Sequence, residues 1–168
     1  MNRRRFLQAA AAATGLTAAS CAVVPRGRSL NGSEMATLEA ICEQIIPADQ
    51  DPGAAWAGVA NYIDRQLAGF YREYRPIYRA GLAEADRRSG GSFAHVPAKR
   101  QKEILRQMEK DETTKAFFTL VVSHTMQGFY GDPRHGGNRD YCSWRMLGVP
   151  PSPVRGRNQY DLTGGSRS

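Results

Sequence analysis

The chain has 168 residues, of which 41% are hydrophobic and 23% charged, as expected for one globular domain with a real core. Its formal net charge is +7, and the first twenty residues supply +3 of it through three arginines and no acid. The remaining basic residues are mildly in excess and scattered among acids. This pattern argues against a nucleic-acid partner, which would require a basic stripe interleaved with aromatic residues.

The N-terminus has the organisation of an export signal. Arginines 3–5 precede an Ala-rich apolar stretch over residues 6–19, which is too short and too weakly hydrophobic for a spanning helix. We therefore expect residues 1–22 to be a signal peptide and residues 23–32 to be a linker. The residues that resemble a twin-arginine (Tat) signal are Arg3, Arg4, Phe6 and Leu7. The predicted location is the periplasm, reached through the Tat translocase.

The cysteines leave two questions open. Small residues precede Cys21, as at a lipoprotein processing site, but the usual leucine at the third position before the cysteine is missing. Cleavage after Ala22 competes with lipidation at Cys21. In an oxidising compartment Cys42 and Cys142 could form a disulfide, and the alternative is two buried free thiols.

Helical periodicity begins after the linker. A first helix, capped by Asn31 or Ser33 and ended by Pro47, is predicted from one apolar stripe. The stripe consists of Leu38, Ile41, Cys42, Ile45 and Ile46. A second amphipathic stripe breaks near Gly69 and consists of Val59, Tyr62, Ile63, Leu67 and Phe70.

Three further helices complete the predicted domain. One runs over about residues 71–88 with Pro76 in its early part, and its inward residues are Tyr74, Ile77, Tyr78 and Leu82. A surface helix over residues 97–110 has only Ile104, Leu105 and Met108 as its apolar face. The segment AFFTLVVSHTMQGFY is apolar nearly all round and predicts a central buried helix.

The expected fold is all-α, a small irregular bundle of about five helices over residues 33–148. A short helix over residues 141–147 follows a Gly/Pro-rich loop. The last twenty residues, 149–168, are rich in Pro, Gly and Ser, and we expect an extended tail.

Sequence motifs give no catalytic, cofactor-binding or metal-binding residue. The chain has no dinucleotide fingerprint, P-loop, haem attachment site, iron–sulfur cysteine cluster or G-x-S-x-G elbow. His95, His124 and His135 match no compact metal motif. We expect His124 to be buried and hydrogen-bonded to backbone or to an aspartate. The alternative is an independent periplasmic enzyme or metalloprotein that uses His124, His135 and Asp132.

The segment GFYGDPRHGGNRDYCSW, residues 128–144, has two compatible interpretations. It is a structural turn, since its glycines and the Asp132-Pro133 pair permit a change of direction. It is also a shaped loop that could be presented to a partner protein. The candidate interface residues are Arg134, His135, Asn138, Arg139, Tyr141 and Trp144.

Three blocks carry a resemblance to a known family. They are LEAICEQIIPAD from residue 38, YIDRQLAG from residue 62, and SHTMQGFYGDPRHGGNRD from residue 123, followed by Trp144 and Gly148. Together with the preceding Tat-like signal, their order resembles the gluconate 2-dehydrogenase subunit 3 family. The likeness covers roughly residues 35–162.

The resemblance implies a function through partners. Members of that family are small gamma subunits of membrane-associated flavoprotein dehydrogenases that oxidise sugars, sugar acids or glycosides. It implies a larger FAD-binding subunit of the glucose–methanol–choline (GMC) type, and often a third, multihaem cytochrome c subunit. FAD and haem c would belong to those partners and none to this chain, which would be non-catalytic. A Tat signal on such a subunit suggests that it escorts the folded flavoprotein through export to a complex at the inner membrane.

Overall fold

The computed structural model describes residues 27–149, so the signal peptide, Cys21, most of the linker and the C-terminal tail lie outside the described residues. The described part contains α-helices and short 3-10 turns, and no strand lies within it. The predicted all-α class is therefore confirmed. Its α-helices are α1 (Gly32–Ile45), α2 (Val59–Ala68), α3 (Arg75–Ser89), α4 (Ala98–Lys110), α5 (Lys115–Tyr130) and α6 (Cys142–Met146).

Helix α1 begins and ends where the sequence predicts. The Asn31 side chain accepts a hydrogen bond from the Glu34 amide at 2.9 Å, and the Glu34 carboxylate accepts one from the Asn31 amide at 2.8 Å. This reciprocal pair is a capping box, so Asn31 rather than Ser33 is the cap. The helix ends at Ile45, two residues before Pro47.

Helix α5 lies at the centre of the bundle and contacts α1, α2, α3, α4 and α6. The sequence predicted that the whole surface of this helix would be buried, but part of it is exposed to solvent. One side is buried, whereas Met126 is 44% exposed and Tyr130 37% exposed. The helices pack around α5 from one side only, and this leaves a stripe of α5 uncovered.

A single core joins the five longer helices. Each fully buried large side chain contributes about 1.5–3 kcal/mol, so this core supplies most of the driving force for folding. None of the helices in residues 27–149 is long and apolar enough to cross a bilayer. The largest fully buried side chains include Leu38, Ile41, Ile63, Leu67, Tyr78, Leu82, Phe93, Ile104, Met108, Val121 and Phe129.

Two predictions about the α2–α3 connection are wrong. Phe70 is 81% exposed rather than part of the buried stripe, because α2 ends at Ala68 and helical spacing no longer applies beyond it. The next helix also starts later than expected. A 3-10 turn occupies Arg72–Tyr74, and α3 begins at Arg75 with Pro76 in its first turn, where the missing amide proton costs no hydrogen bond.

Candidate docking site

His124 lies in the core and has a structural environment. The Tyr78 hydroxyl lies 2.8 Å from His124 Nδ1, and the Tyr71 ring stacks on the imidazole with centroids 4.4 Å apart. Burial lowers the pKa of His124 and raises the pKa of Tyr78. Both groups are therefore neutral at physiological pH, and the tyrosine donates to the imidazole. The burial predicted for His124 is confirmed, but its partner is a tyrosine rather than backbone or an aspartate.

The alternative metal site is not assembled by the structure. Within residues 27–149 no group of three or more His, Cys, Asp or Glu side chains is placed to hold a metal ion. His124 is buried, His135 is exposed, and the Asp132 carboxylate accepts from the Arg134 amide at 3.0 Å. The proposed trio is thus divided between the core and the surface loop.

Cys42 and Cys142 are both buried free thiols, which is the alternative to the disulfide. The Thr125 hydroxyl donates to Cys42 Sγ at 3.3 Å, and Cys142 Sγ lies 3.6 Å from Asn138 Oδ1. Burial raises the pKa of Cys42 to about 12 and raises that of Cys142 as well. Both thiols therefore stay protonated and are poor nucleophiles.

Asn138 fastens the loop after α5 to the rest of the fold. Its side chain is fully buried, its Nδ2 donates to the Gly131 carbonyl at 2.8 Å, and its Oδ1 accepts from the Ser143 amide at 3.0 Å. The side chain therefore lies inside the loop and not on the surface that was predicted to contact a partner. Both polar atoms of the amide bond to backbone groups of the loop, and burial keeps the rest of the side chain from the surface.

The loop backbone is held in an unusual conformation. Asn138, Asp140 and Tyr141 have positive φ angles of 46°, 51° and 57°. A left-handed conformation costs a residue with a side chain about 1–2 kcal/mol, and such strain clusters at functional sites. Two bonds outside the strained residues hold it: the Arg139 amide donates to the Ala57 carbonyl at 3.1 Å, and Trp144 Nε1 donates to the Tyr130 carbonyl at 2.8 Å.

Glycines let the loop approach α5 closely. A Cβ on Gly137 would overlap the backbone carbonyl of Gly128. A Cβ on Gly128 would in turn lie 2.7 Å from the Tyr62 ring and 3.1 Å from Val59. Only glycine at both positions permits this close contact between the loop, α5 and α2. The contact sets the distance of the loop from α5.

Six large side chains from the loop, from α5 and from the α1–α2 connection are together called the aromatic face. It consists of Trp56, Met126, Tyr130, Arg139, Tyr141 and Trp144. The Arg139 guanidinium lies 5.6 Å from the centroid of the Trp56 ring, and the Tyr141 and Trp144 rings are 5.4 Å apart. The Trp144 indole donates to the backbone carbonyl of Tyr130, and Met126 lies one turn before Tyr130 on α5. Trp, Tyr, Met and Arg are the residue types that dominate protein interfaces.

The sequence identified only part of this face. Arg139, Tyr141 and Trp144 were predicted from residue type, whereas Trp56, Met126 and Tyr130 were missed. The i, i+4 spacing of Met126 and Tyr130 could have indicated a common exposed face of α5. Nothing in the sequence around Trp56 pairs it with Arg139, because that contact depends on how the α1–α2 connection meets the loop.

Arg134 and His135, also predicted as contacts, are exposed beside the face. They occupy the 3-10 turn Pro133–His135. The Arg134 guanidinium pairs with the Asp132 carboxylate at 3.2 Å, so part of its charge is already neutralised within the loop. Both residues remain accessible to a partner.

The sequence pattern of the gluconate 2-dehydrogenase subunit 3 family matches residues 32–151, from the first residue of α1 to just beyond α6. This chain belongs to that family. No curated protein and no solved structure matches it. The resemblance read from the three sequence blocks is thereby confirmed.

Membership in the gluconate 2-dehydrogenase subunit 3 family bears on the aromatic face. The family is named for one subunit of a dehydrogenase complex, so its name implies association with other subunits. The matched residues 32–151 include every residue of the aromatic face. The aromatic face therefore lies within the part of the chain that matches the family.

Proposed function

We propose that this chain is the small, non-catalytic subunit of a periplasmic or membrane-associated FAD-dependent dehydrogenase that oxidises a sugar, sugar acid or glycoside. The observation that carries the proposal is the family match across the whole helical domain. In this account FAD is bound by a larger GMC-type subunit, and where a third subunit is present it is a multihaem cytochrome c that accepts the electrons. The small subunit binds its partner through its surface and carries no cofactor of its own.

The aromatic face supports the docking part of the proposal. Trp56 and Met126 are each 44% exposed, and both are residue types that are enriched at protein interfaces. Hydrogen bonds from Asn138, Arg139 and Trp144 hold the strained loop, so it loses little conformational freedom when a partner docks. We therefore place the large subunit on this face.

The Tat-like signal of residues 1–22 supports a role in export. A flavoprotein acquires FAD where it folds, in the cytoplasm, and the Tat pathway carries folded proteins. A large subunit without its own signal can cross the membrane when bound to a small subunit that has one. The small subunit would then act as export chaperone and structural subunit together.

A strain that lacks this chain tests the export role. We expect the flavoprotein subunit to be depleted from the periplasm and to accumulate, or be degraded, in the cytoplasm. Supplying the full chain should restore export, whereas supplying residues 23–168 should restore cytoplasmic complex formation alone. Normal periplasmic levels of the flavoprotein without this chain would overturn the export role.

A further inference from the structure

A surface cleft near Arg139 has three side chains with N–H donors in its lining, those of Arg28, Asn61 and Arg65. It has a volume of about 250 Å³ and lies where the start of the described chain meets α2 and the loop. Its lining residues are Gly27, Arg28, Asn61, Asp64, Arg65 and Gly136. Arg139 does not line the cleft but lies near it, since a Cβ built on Gly58 would lie 3.3 Å from the Gly136 carbonyl oxygen and 3.8 Å from Arg139 Nη2.

Two guanidinium groups approach the same backbone junction from different elements. A Cβ on Gly136 would lie 2.8 Å from Arg65 Nη1, so the Arg65 guanidinium, from α2, lies directly against the loop. A Cβ on Gly58 would lie 3.8 Å from Arg139 Nη2 and 3.7 Å from Asn61 Nδ2. Asn61 and Arg65 therefore supply N–H donors to the cleft, and the Arg139 guanidinium lies close to Asn61.

The single carboxylate in the cleft is already saturated. Asp64 is 3% exposed, and its Oδ1 accepts from the Ser29 amide at 2.8 Å and the Leu30 amide at 2.9 Å. Its Oδ2 accepts from the Arg28 amide. These bonds fix the chain just before α1. They also occupy the lone pairs of the Asp64 carboxylate that would otherwise attract the arginines around the cleft.

The arginines around the cleft have no acidic partner in the described chain. Within residues 27–149 the ion pairs involve other basic groups, and none involves Arg28, Arg65 or Arg139. Arg139 instead lies against the Trp56 ring, which shields one face of its guanidinium from water. The N–H donors of such a guanidinium remain available to bind a carboxylate of another molecule.

We propose that an Asp or Glu side chain of the FAD-binding large subunit enters this cleft and pairs with Arg65 and Arg139 when that subunit covers the aromatic face. The inference rests on the proposed function. A protein carboxylate fits better than a free anion, because docking on the neighbouring aromatic face excludes water from the cleft. Desolvation strengthens the charge-assisted hydrogen bonds that form there.

The test compares variants of the full chain in binding to the purified flavoprotein subunit at several salt concentrations. Arg65→Gln and Arg139→Gln should each weaken binding about tenfold or more, the loss expected for a hydrogen bond to a charged group. The double variant should also flatten the dependence of affinity on NaCl. Arg106→Gln is the matched control, since Arg106 is exposed on α4 and lines a different groove. It should bind like the wild type.

Conservative variants separate recognition from folding. Arg65→Lys and Arg139→Lys keep the charge but lose the bidentate geometry, so they should retain part of the affinity and most of the salt dependence. Far-UV circular dichroism and thermal unfolding should match the wild type for these variants.

Two results would overturn the carboxylate site while leaving the proposed function intact. One is wild-type affinity and salt dependence in the double variant. The other is unchanged flavoprotein binding combined with reduced binding to phosphatidylglycerol vesicles, which would assign the cleft to a lipid headgroup. If the wild-type chain itself fails to bind the flavoprotein, the proposed function fails together with this inference.

Discussion

Asn138 connects the loop to the end of α5 and to the start of α6 through bonds to Gly131 and Ser143. Replacing it with alanine leaves the Gly131 carbonyl and the Ser143 amide without a hydrogen-bond partner. The alanine also keeps the strained left-handed backbone. We expect Asn138→Ala to lower the free energy of unfolding by about 2–4 kcal/mol. Asn138→Gly also loses the bonds but relieves the strain, so it should be less damaging than alanine by about 1 kcal/mol.

Urea unfolding of both Asn138 variants, followed by circular dichroism, gives this comparison. If alanine and glycine were equally damaging, the left-handed conformation at this position would not be costly. If both were neutral, the buried bonds of Asn138 would not hold the loop.

His124 makes the stability of the domain depend on pH. Burial lowers the pKa of His124 in the native state, whereas the pKa of an unfolded histidine is about 6.5. The unfolded state therefore binds the proton first as pH falls. Stability should be unaffected above about pH 6.5 and should decrease below it, by up to about 1.4 kcal/mol per pH unit, until the native pKa is reached.

The contribution of His124 is measured as a difference between variants. His124→Gln keeps an acceptor for the Tyr78 hydroxyl but removes the titration, so its stability should fall less than that of the wild type between pH 6.5 and 5. His135→Gln, at an exposed position, should follow the wild type. Parallel profiles for wild type and His124→Gln would show that the buried histidine is not the titrating group.

At the scale of elements, the contact between α3 and α5 depends on Gly81. A Cβ there would overlap the ring of Phe117, which is 2% exposed and cannot move into solvent. Alanine would gain up to about 1 kcal/mol of helix propensity, but overpacking costs about 1–3 kcal/mol. We expect Gly81→Ala to be destabilising on balance.

Gly91→Ala is the control for Gly81→Ala, because a Cβ at Gly91 meets nothing within 4 Å. Thermal unfolding should leave the Gly91 variant within about 0.5 kcal/mol of the wild type. A stabilised Gly81 variant would mean that Phe117 repacks freely and that the helices are less closely packed than described.

The helices themselves could be predicted because their signals are local. Asn31 marks a helix start through its capping side chain, and Pro47 and Pro97 mark ends through their restricted backbone. The stripe of Ile104, Leu105 and Met108 is buried as predicted. The errors concern relations between elements. The exposure of Met126 depends on where the other helices pack. The exposure of Phe70 depends on the residue at which α2 ends.

The candidate site shows the same division. Residue type alone indicated Arg139 and Trp144, but the direction of Asn138 is set by backbone groups on both sides of the loop. The pairing of Trp56 with Arg139, and of Arg65 with Gly136, joins segments distant in sequence. No local pattern encodes those contacts.

At the scale of the whole molecule, the twin-arginine signal is a prediction that a conservative substitution can test. Arg3→Lys combined with Arg4→Lys keeps the charge but removes the pair, so both this chain and its partner should stay in the cytoplasm. Arg5→Lys lies outside the pair and is the control. Fractionation and immunoblotting of both proteins give the result, and unchanged export of the double variant would show that another signal is used.

The central claim is that this chain is a subunit of a flavoprotein complex, and a mild affinity purification tests it most directly. The C-terminally tagged chain is isolated from periplasmic and membrane fractions, and its visible absorbance is recorded. The account predicts a flavin spectrum and a co-purifying chain of larger mass. A colourless protein that purifies alone with stoichiometric metal would contradict it and would favour the metalloprotein alternative.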